Sequence, residues 1–253
     1  MTSTHLKLDV ELPAGNAYKL MSEIALPLAL SNIGGIVRGY RFTSGLGDLT
    51  GDIVNPSQVV GTPSKVTGGY SLGNAGYIDT GVKETGEFLF IALVRVSSGG
   101  MYTPIITSFV DSAQSGTGKS LGCNLGKTTT AIKTSDTLDS VGAFNATGLT
   151  AGNWALMALS RRLVGVTGYA EYNYACKPAG LAVQKSTSSP FTPVANSTQN
   201  ICIGWTPKAG TTIPSGSTVI NFASVHNKGL DSTQLETLIS NLVTELAAQG
   251  IVL

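Results

Sequence analysis

The segment Tyr169-Ala170-Glu171-Tyr172-Asn173-Tyr174 places aromatic rings beside a carboxylate and an amide within six residues. Aromatic faces stack on the C–H faces of sugars, and amides and carboxylates pair with hydroxyls, so this is the leading candidate ligand site. If the segment is a strand, alternation puts Tyr172 and Tyr174 on one face and Glu171 with Asn173 on the other. The four groups then converge on one ligand only where the chain turns. Arg161-Arg162 offers a cationic partner for an anionic sugar, although a solvated turn explains the pair more simply. Trp154 opens a strand after Ala151-Gly152-Asn153, and Trp205 ends one. Both read as core or rim packing.

Other chemistries lack their residues. Glycoside hydrolysis needs two carboxylates held close together, whereas Glu84 and Glu87 flank a turn and Asp136 and Asp139 lie in a Ser/Thr-rich loop. Nucleophile-and-base catalysis needs a histidine in most versions. The two histidines, His5 and His226, sit near a terminus and in the turn Val225-His226-Asn227-Lys228-Gly229. Cys123, Cys176 and Cys202 form no C-x-x-C pair, so zinc and dithiol redox chemistry are not indicated and reduced, partly buried thiols are expected. Ser115-Gly116-Thr117-Gly118-Lys119-Ser120 ends as a phosphate loop does, but Ala113 stands where its first glycine belongs, and a surface loop is expected. Asp111, Asn124, Asp136, Asp139 and Asn145 are hard oxygen ligands in expected loops, which leaves calcium open, but their spacing matches no compact calcium loop. No cofactor is assigned, and the reading is of a protein that is not an enzyme.

The elements that must position these groups are mostly strands. The 253-residue chain has 31 glycines and 10 prolines, is 12% charged and 42% hydrophobic, and carries a formal net charge of +1. Such a composition fits a folded protein of short strands and tight turns, and it excludes the basic footprint of a nucleic-acid binder. No apolar run approaches the ~20 residues that span a bilayer, and no signal peptide is visible before Ile24. Both faces of Phe88 to Val96 are apolar, which predicts a central strand covered on both sides. Further strands are expected over Ile36 to Phe42, Pro104 to Val110, Asn153 to Ser160, Leu163 to Tyr172, Leu181 to Gln184, Ile201 to Trp205 and Val219 to Val225. Gly45 to Gly76 reads as loop-rich, and the spacing of the strands suggests a sandwich.

One helix closes the chain. Asp231 is a good N-cap, Gln234 completes a capping box, and Leu230 can staple onto Leu235. Leu235, Leu238, Ile239, Leu242, Val243 and Leu246 share one face, and Gly250 supplies the stop. That face either packs outside a sheet or meets a partner subunit. The second is the expectation, with Leu242, Val243, Leu246 and Val252 as the oligomer contact. The organisation read from the sequence is an N-terminal arm over 1–45, a sandwich over 46–230, and a helix and tail over 231–253.

Three segments in the same order carry a resemblance. They are Gly76-Tyr77-Ile78-Asp79-Thr80-Gly81 with the Phe88 to Val96 strand, then Gly152-Asn153-Trp154-Ala155-Leu156-Met157-Ala158, then Ile220 to Leu235 with its Asn227-Lys228-Gly229-Leu230-Asp231-Ser232-Thr233-Gln234-Leu235 tail. Together they resemble the concanavalin A-like lectin and glucanase (laminin-G-like) superfamily over about residues 70 to 240. The resemblance implies an all-β jelly-roll β-sandwich with a C-terminal α-helix and an N-terminal extension. The glucanase carboxylates of that family find no match here. Leu26-Pro27-Leu28-Ala29-Leu30 and Ile36-Val37-Arg38-Gly39-Tyr40-Arg41-Phe42 look like lectin-like virion proteins of tailed bacteriophages. That resemblance implies a homotrimer, made in the bacterial host cytoplasm and carried on a tail fibre, baseplate or capsid beside other virion proteins. The function then expected is recognition of a host surface glycan as a receptor-binding component. The alternative is a capsid decoration or adaptor protein with a purely structural role.

Overall fold

A computed structural model of the chain describes residues 25–51, 54–97, 102–109, 117–124, 126–133, 144, 146–165, 168–190, 192, 197–206 and 216–253. In chain order its elements are α1 (Leu28–Ile33), β1 (Ile36–Arg41), β2 (Gln58–Gly61), β3 (Ser64–Val66), β4 (Gly69–Gly73), β5 (Gly76–Lys83), β6 (Phe88–Arg95), β7 (Thr103–Thr107) and β8 (Gly118–Asn124). They continue with β9 (Gly126–Lys133), β10 (Thr147–Leu149), β11 (Trp154–Val164), β12 (Tyr169–Pro178), β13 (Gln184–Thr187), β14 (Asn200–Ile203), β15 (Ser217–His226) and α2 (Ser232–Ala248).

The strands pair antiparallel along the path β10-β9-β8-β7-β14-β5-β4-β15-β6-β11-β12-β13, with β1 beside β15, β2 beside β5 and β3 beside β4. A single pair, Gly73 with Gly76, carries that path through the β4–β5 turn. On either side of the turn the strands form the two layers of an all-β sandwich, and the core lies between them. Phe88, Phe90, Ala92 and Val94 of β6, Met157 and Leu159 of β11, and Tyr172 and Tyr174 of β12 meet Ile78, Ile106, Leu121 and Ile203 of the opposite layer.

Strand β6 is covered on both faces, as its composition requires. Its alternate residues Leu89, Ile91 and Leu93 join a second cluster with Leu156, Phe222 and the helix α2. Asp231 caps that helix: its side chain accepts from the Gln234 backbone, the Gln234 side chain accepts from the Asp231 backbone, and Leu230 and Leu235 are both buried beside the cap. The buried face of α2 is Leu235, Leu238, Ile239, Leu242 and Leu246, and each such side chain contributes about 1.5–3 kcal/mol on burial.

Several expectations are corrected here. Leu242 and Leu246 pack on the chain's own sheet and not on a partner, because the helix returns over the outer face of β6, β11 and β12 and buries its stripe there. Val243 is half-buried against the same cluster, and Val252 alone of the four predicted contact residues projects, at 78% exposure. Residues 36–41 of the predicted arm form β1 and hydrogen-bond along β15, while residues 1–24 lie outside the described residues. The Gly-rich stretch 45–76 contains β2, β3 and β4, since glycines at tight approaches let short strands pair closely. Leu163 to Tyr172 is not one strand: β11 runs on to Val164, and the chain turns back to pair Val164 with Tyr169.

Candidate functional site

The predicted ligand residues on β12 obey strand alternation, and both of their faces are covered. Tyr172 and Tyr174 point into the sandwich core and are 0% and 2% exposed. Tyr172 lies 6.3 Å from Phe88, tilted, and Tyr174 stacks on Phe144 at 5.7 Å. Burial pushes the Tyr172 phenol up to about 12, against the pull of Arg161. With their rings filled in from both sides, neither tyrosine offers a face to a sugar in this fold.

Glu171 and Asn173 point the other way, under the start of α2. Asn173 donates from Nδ2 to Glu171 Oε1 at 2.9 Å and to the Leu230 carbonyl at 3.2 Å, and its Oδ1 accepts from Thr187 at 2.7 Å. Ser160 donates to the Leu230 carbonyl at 3.0 Å and accepts from the Leu230 amide at 2.7 Å. Arg162 donates to Glu171 at 2.7 Å and lies 3.6 Å from Asp231. This network latches the residue before the helix cap onto the sheet, and it consumes the polar groups that the sequence suggested for hydroxyls. Arg161 is committed as well, donating to the Gly86 and Thr85 carbonyls at 2.7 and 3.0 Å with its guanidinium over Phe88.

The opposite end of the helix-covered face is different. Arg95 ends β6, Trp154 begins β11, and the two are direct partners in register. The Arg95 guanidinium carbon lies over the indole, 4.7 Å from the ring centroid, within the range of cation–π attraction. The tip of the β3–β4 hairpin closes over the indole edge at Gly68. Its φ of +89° is a conformation for which glycine is suited, and a Cβ there would meet the indole at 2.8 Å. Asn221, 2% exposed, fixes that tip by donating from Nδ2 to the Gly68 carbonyl at 2.8 Å. Arg95 and Trp154 are each partly exposed. No carboxylate or carbonyl among the described residues accepts a hydrogen bond from the Arg95 guanidinium, whose described contact is with the indole. Lys177, on the neighbouring β12 opposite Leu156, adds a second cation to this end of the face.

Sequence reasoning treated Trp154 as packing and passed over Arg95. The signal was present: a strand apolar on both faces ends in one arginine, and a tryptophan opens another strand. Only the β6–β11 register brings the two together.

A groove of about 390 Å³ also runs between α1 and α2, with Asn32, Gln234, Thr237 and Asn241 on its walls over Ala29 and Leu230. The remaining titratable groups are held internally. Glu84 pairs with Lys119, and His226 sits between the Gly34 carbonyl and Ser224, each at 3.0 Å. Lys119, which the sequence placed in a surface loop, is fully buried on β8. Three or more His, Cys, Asp or Glu residues do not gather into a metal site among the described residues. The loop residues considered for calcium, Asp111, Asp136, Asp139 and Asn145, lie outside the described residues, as does the side chain of Asn124. No described helix is long and apolar enough to cross a membrane.

The two strand layers and the helix over one of them define an all-β sandwich. No family model matches the chain, and no curated protein matches it in sequence. Solved structures do match in fold. The chain superposes on a botulinum neurotoxin type C that depends on interaction with two ganglioside molecules to enter cells, at a TM-score of 0.54 and 16% identity, covering 84% of this chain and 53% of that one. It superposes on the binding domain of botulinum neurotoxin serotype D/C at 0.52 and 17% identity, covering 82% and 52%. A third similar structure is domain 4 of AbnA, an extracellular arabinanase of Geobacillus stearothermophilus in complex with arabinotriose, at 0.48 and 14% identity, covering 80% of this chain and 97% of that one. The chain thus spans about half the length of the neurotoxin structures, and the likeness is one of fold.

Proposed function

We propose that the protein is a non-enzymatic glycan-recognition module that contacts sugar at the Arg95–Trp154 corner. The observation that carries this reading is a partly exposed arginine whose guanidinium lies over an indole and donates to no acceptor among the described residues. Stacking groups and uncommitted hydrogen-bond donors at a preformed surface are what sugar recognition uses. The ganglioside dependence of a neurotoxin built on the same fold supports the ligand class. The commitment of Glu84 to Lys119 and of His226 to Gly34 and Ser224 supports a binding role over a catalytic one.

The biological setting in this reading is a tailed-phage virion, where the protein serves as a homotrimeric tail-fibre or baseplate component. Its support is the resemblance carried by residues 26–30 and 36–42. Trimeric display makes weak single sites useful, since linked sites raise avidity by ~10²–10⁴. A glycan array with the intact protein and with Trp154→Ala tests the recognition. Binding that the variant loses is the expected result, and a blank array with folded protein overturns it. Sedimentation that shows a monomer at high concentration removes the trimer, and absence of the protein from purified particles by mass spectrometry removes the virion setting.

A further inference from the structure

We infer that the Arg95–Trp154 corner selects a carboxylated sugar over its neutral counterpart. This rests on the glycan-recognition reading and names the ligand class of the same site. Arginine retains its proton at every physiological pH and is usually paired when it is drawn partly out of water. Arg95 has no carboxylate within ion-pair distance among the described residues, and its contact is with the π face of Trp154. Such a contact positions the guanidinium, and none of its N–H groups donates to an acceptor among the described residues. A planar carboxylate matches the guanidinium fork with two parallel hydrogen bonds, each charge-assisted and stronger than a hydroxyl's.

The surroundings agree with an anion. Lys177 lies on the same end of the face, and among the described residues its ammonium donates to the Pro178 carbonyl alone, at 3.2 Å. The floor is fixed before any ligand arrives. Register pairing sets Arg95 opposite Trp154, Gly68 shuts the indole edge, and Asn221 holds Gly68 in place. A preorganised guanidinium loses less conformational freedom on binding than a flexible surface arginine, and the gain appears as affinity. Trp154 is partly exposed beside the guanidinium, so a sugar ring gains an apolar contact there that a small carboxylate without a ring does not.

The test uses the whole protein and three probes: methyl glucuronide, methyl glucoside and acetate. The readout is the indole N–H resonance of Trp154, separated from that of Trp205 by the spectrum of Trp154→Phe. Methyl glucuronide is expected to shift it saturably, with a dissociation constant at least tenfold below that of methyl glucoside or acetate and rising with added salt. Arg95→Gln is expected to bring the two glycosides to within about twofold of one another, and Arg95→Lys to recover only part of the preference, because an ammonium cannot reproduce the fork. A thermal midpoint for Arg95→Gln near that of the wild type shows that the loss is one of recognition.

Equal affinity for the two methyl glycosides overturns the carboxylate selectivity and leaves glycan recognition standing. Acetate as tight as the glucuronide reduces the corner to a simple anion site and overturns the inference. No shift with any probe overturns the assignment to this corner. If the array still shows binding, recognition stands at another surface; if the array is also blank, both readings fall.

Discussion

Glu84 and Lys119 form an ion pair sealed at one end of the sandwich interior, with both side chains fully withdrawn from solvent. Glu84 also accepts from Ser108 Oγ at 2.7 Å and from the Ser197 amide at 2.6 Å, so one carboxylate ties β5, β7 and β8 to the segment before β14. Burial lowers the Lys119 ammonium below the ordinary lysine value, with Glu84 pulling in the opposite direction.

Desolvation of two charges is costly, and such a pair holds only while both members remain. Lys119→Met therefore leaves a buried carboxylate and is expected to cost about 3–5 kcal/mol in urea denaturation. Adding Glu84→Gln removes the orphaned charge while keeping an acceptor for Ser197, so the double variant should recover part of that loss. A double variant less stable than Lys119→Met would contradict the account.

The fate of Tyr172 and Tyr174 separates packing from binding. Their rings fill the core between the sheets, so Tyr172→Ala or Tyr174→Ala leaves a cavity and is expected to cost about 3–5 kcal/mol. Tyr174→Phe keeps the stack on Phe144 and should cost far less. Glycan affinity of whatever fraction stays folded should match the wild type. A variant with unchanged thermal midpoint and lost binding would restore these tyrosines to the ligand site.

Much of the fold was legible because local chemistry and global architecture agree. An unbroken apolar run marked β6 as a central strand covered on both faces, and Asp231, Gln234 and Leu230 announced α2 with its cap and staple. The covering of β12 was not legible. Alternation correctly divided Glu171 and Asn173 from Tyr172 and Tyr174, but a polar face on a strand looks the same whether water or the chain's own helix lies over it. Non-local return of residues 227–248 across the sheet decided the matter. The Arg95–Trp154 corner was hidden for the same reason: its two members are far apart in sequence and meet only through strand register.

The helix that was expected to meet a partner stabilises its own subunit. Leu242 and Leu246 are fully buried against the sheet, so Leu242→Ala is expected to cost about 2–5 kcal/mol in thermal or urea unfolding. The sedimentation coefficient of the folded fraction should not change. Val252→Asp, at an exposed position, should leave the thermal midpoint where it was. A change of oligomeric state in Leu242→Ala without loss of stability would return that leucine to a subunit interface.

His226 predicts how stability responds to acid. Its Nδ1 faces the Gly34 carbonyl, which can only accept, so Nδ1 carries the proton and Nε2 accepts from the Ser224 hydroxyl. Burial lowers the imidazole below its ordinary value of 6.5, with the Gly34 carbonyl opposing. Above 6.5 the ring is neutral in folded and unfolded chains alike, and its contribution to stability is fully present. As the pH falls below that value the unfolded chain takes up a proton that the folded one resists, so stability drains away until the lowered folded value is reached. Each unit of lowering corresponds to about 1.4 kcal/mol. Between pH 7 and pH 5 the wild type should therefore lose stability faster than His226→Gln, which has nothing to titrate at this position. Their unfolding free energies should converge as acid is added, and parallel curves would show that the buried imidazole does not control the response.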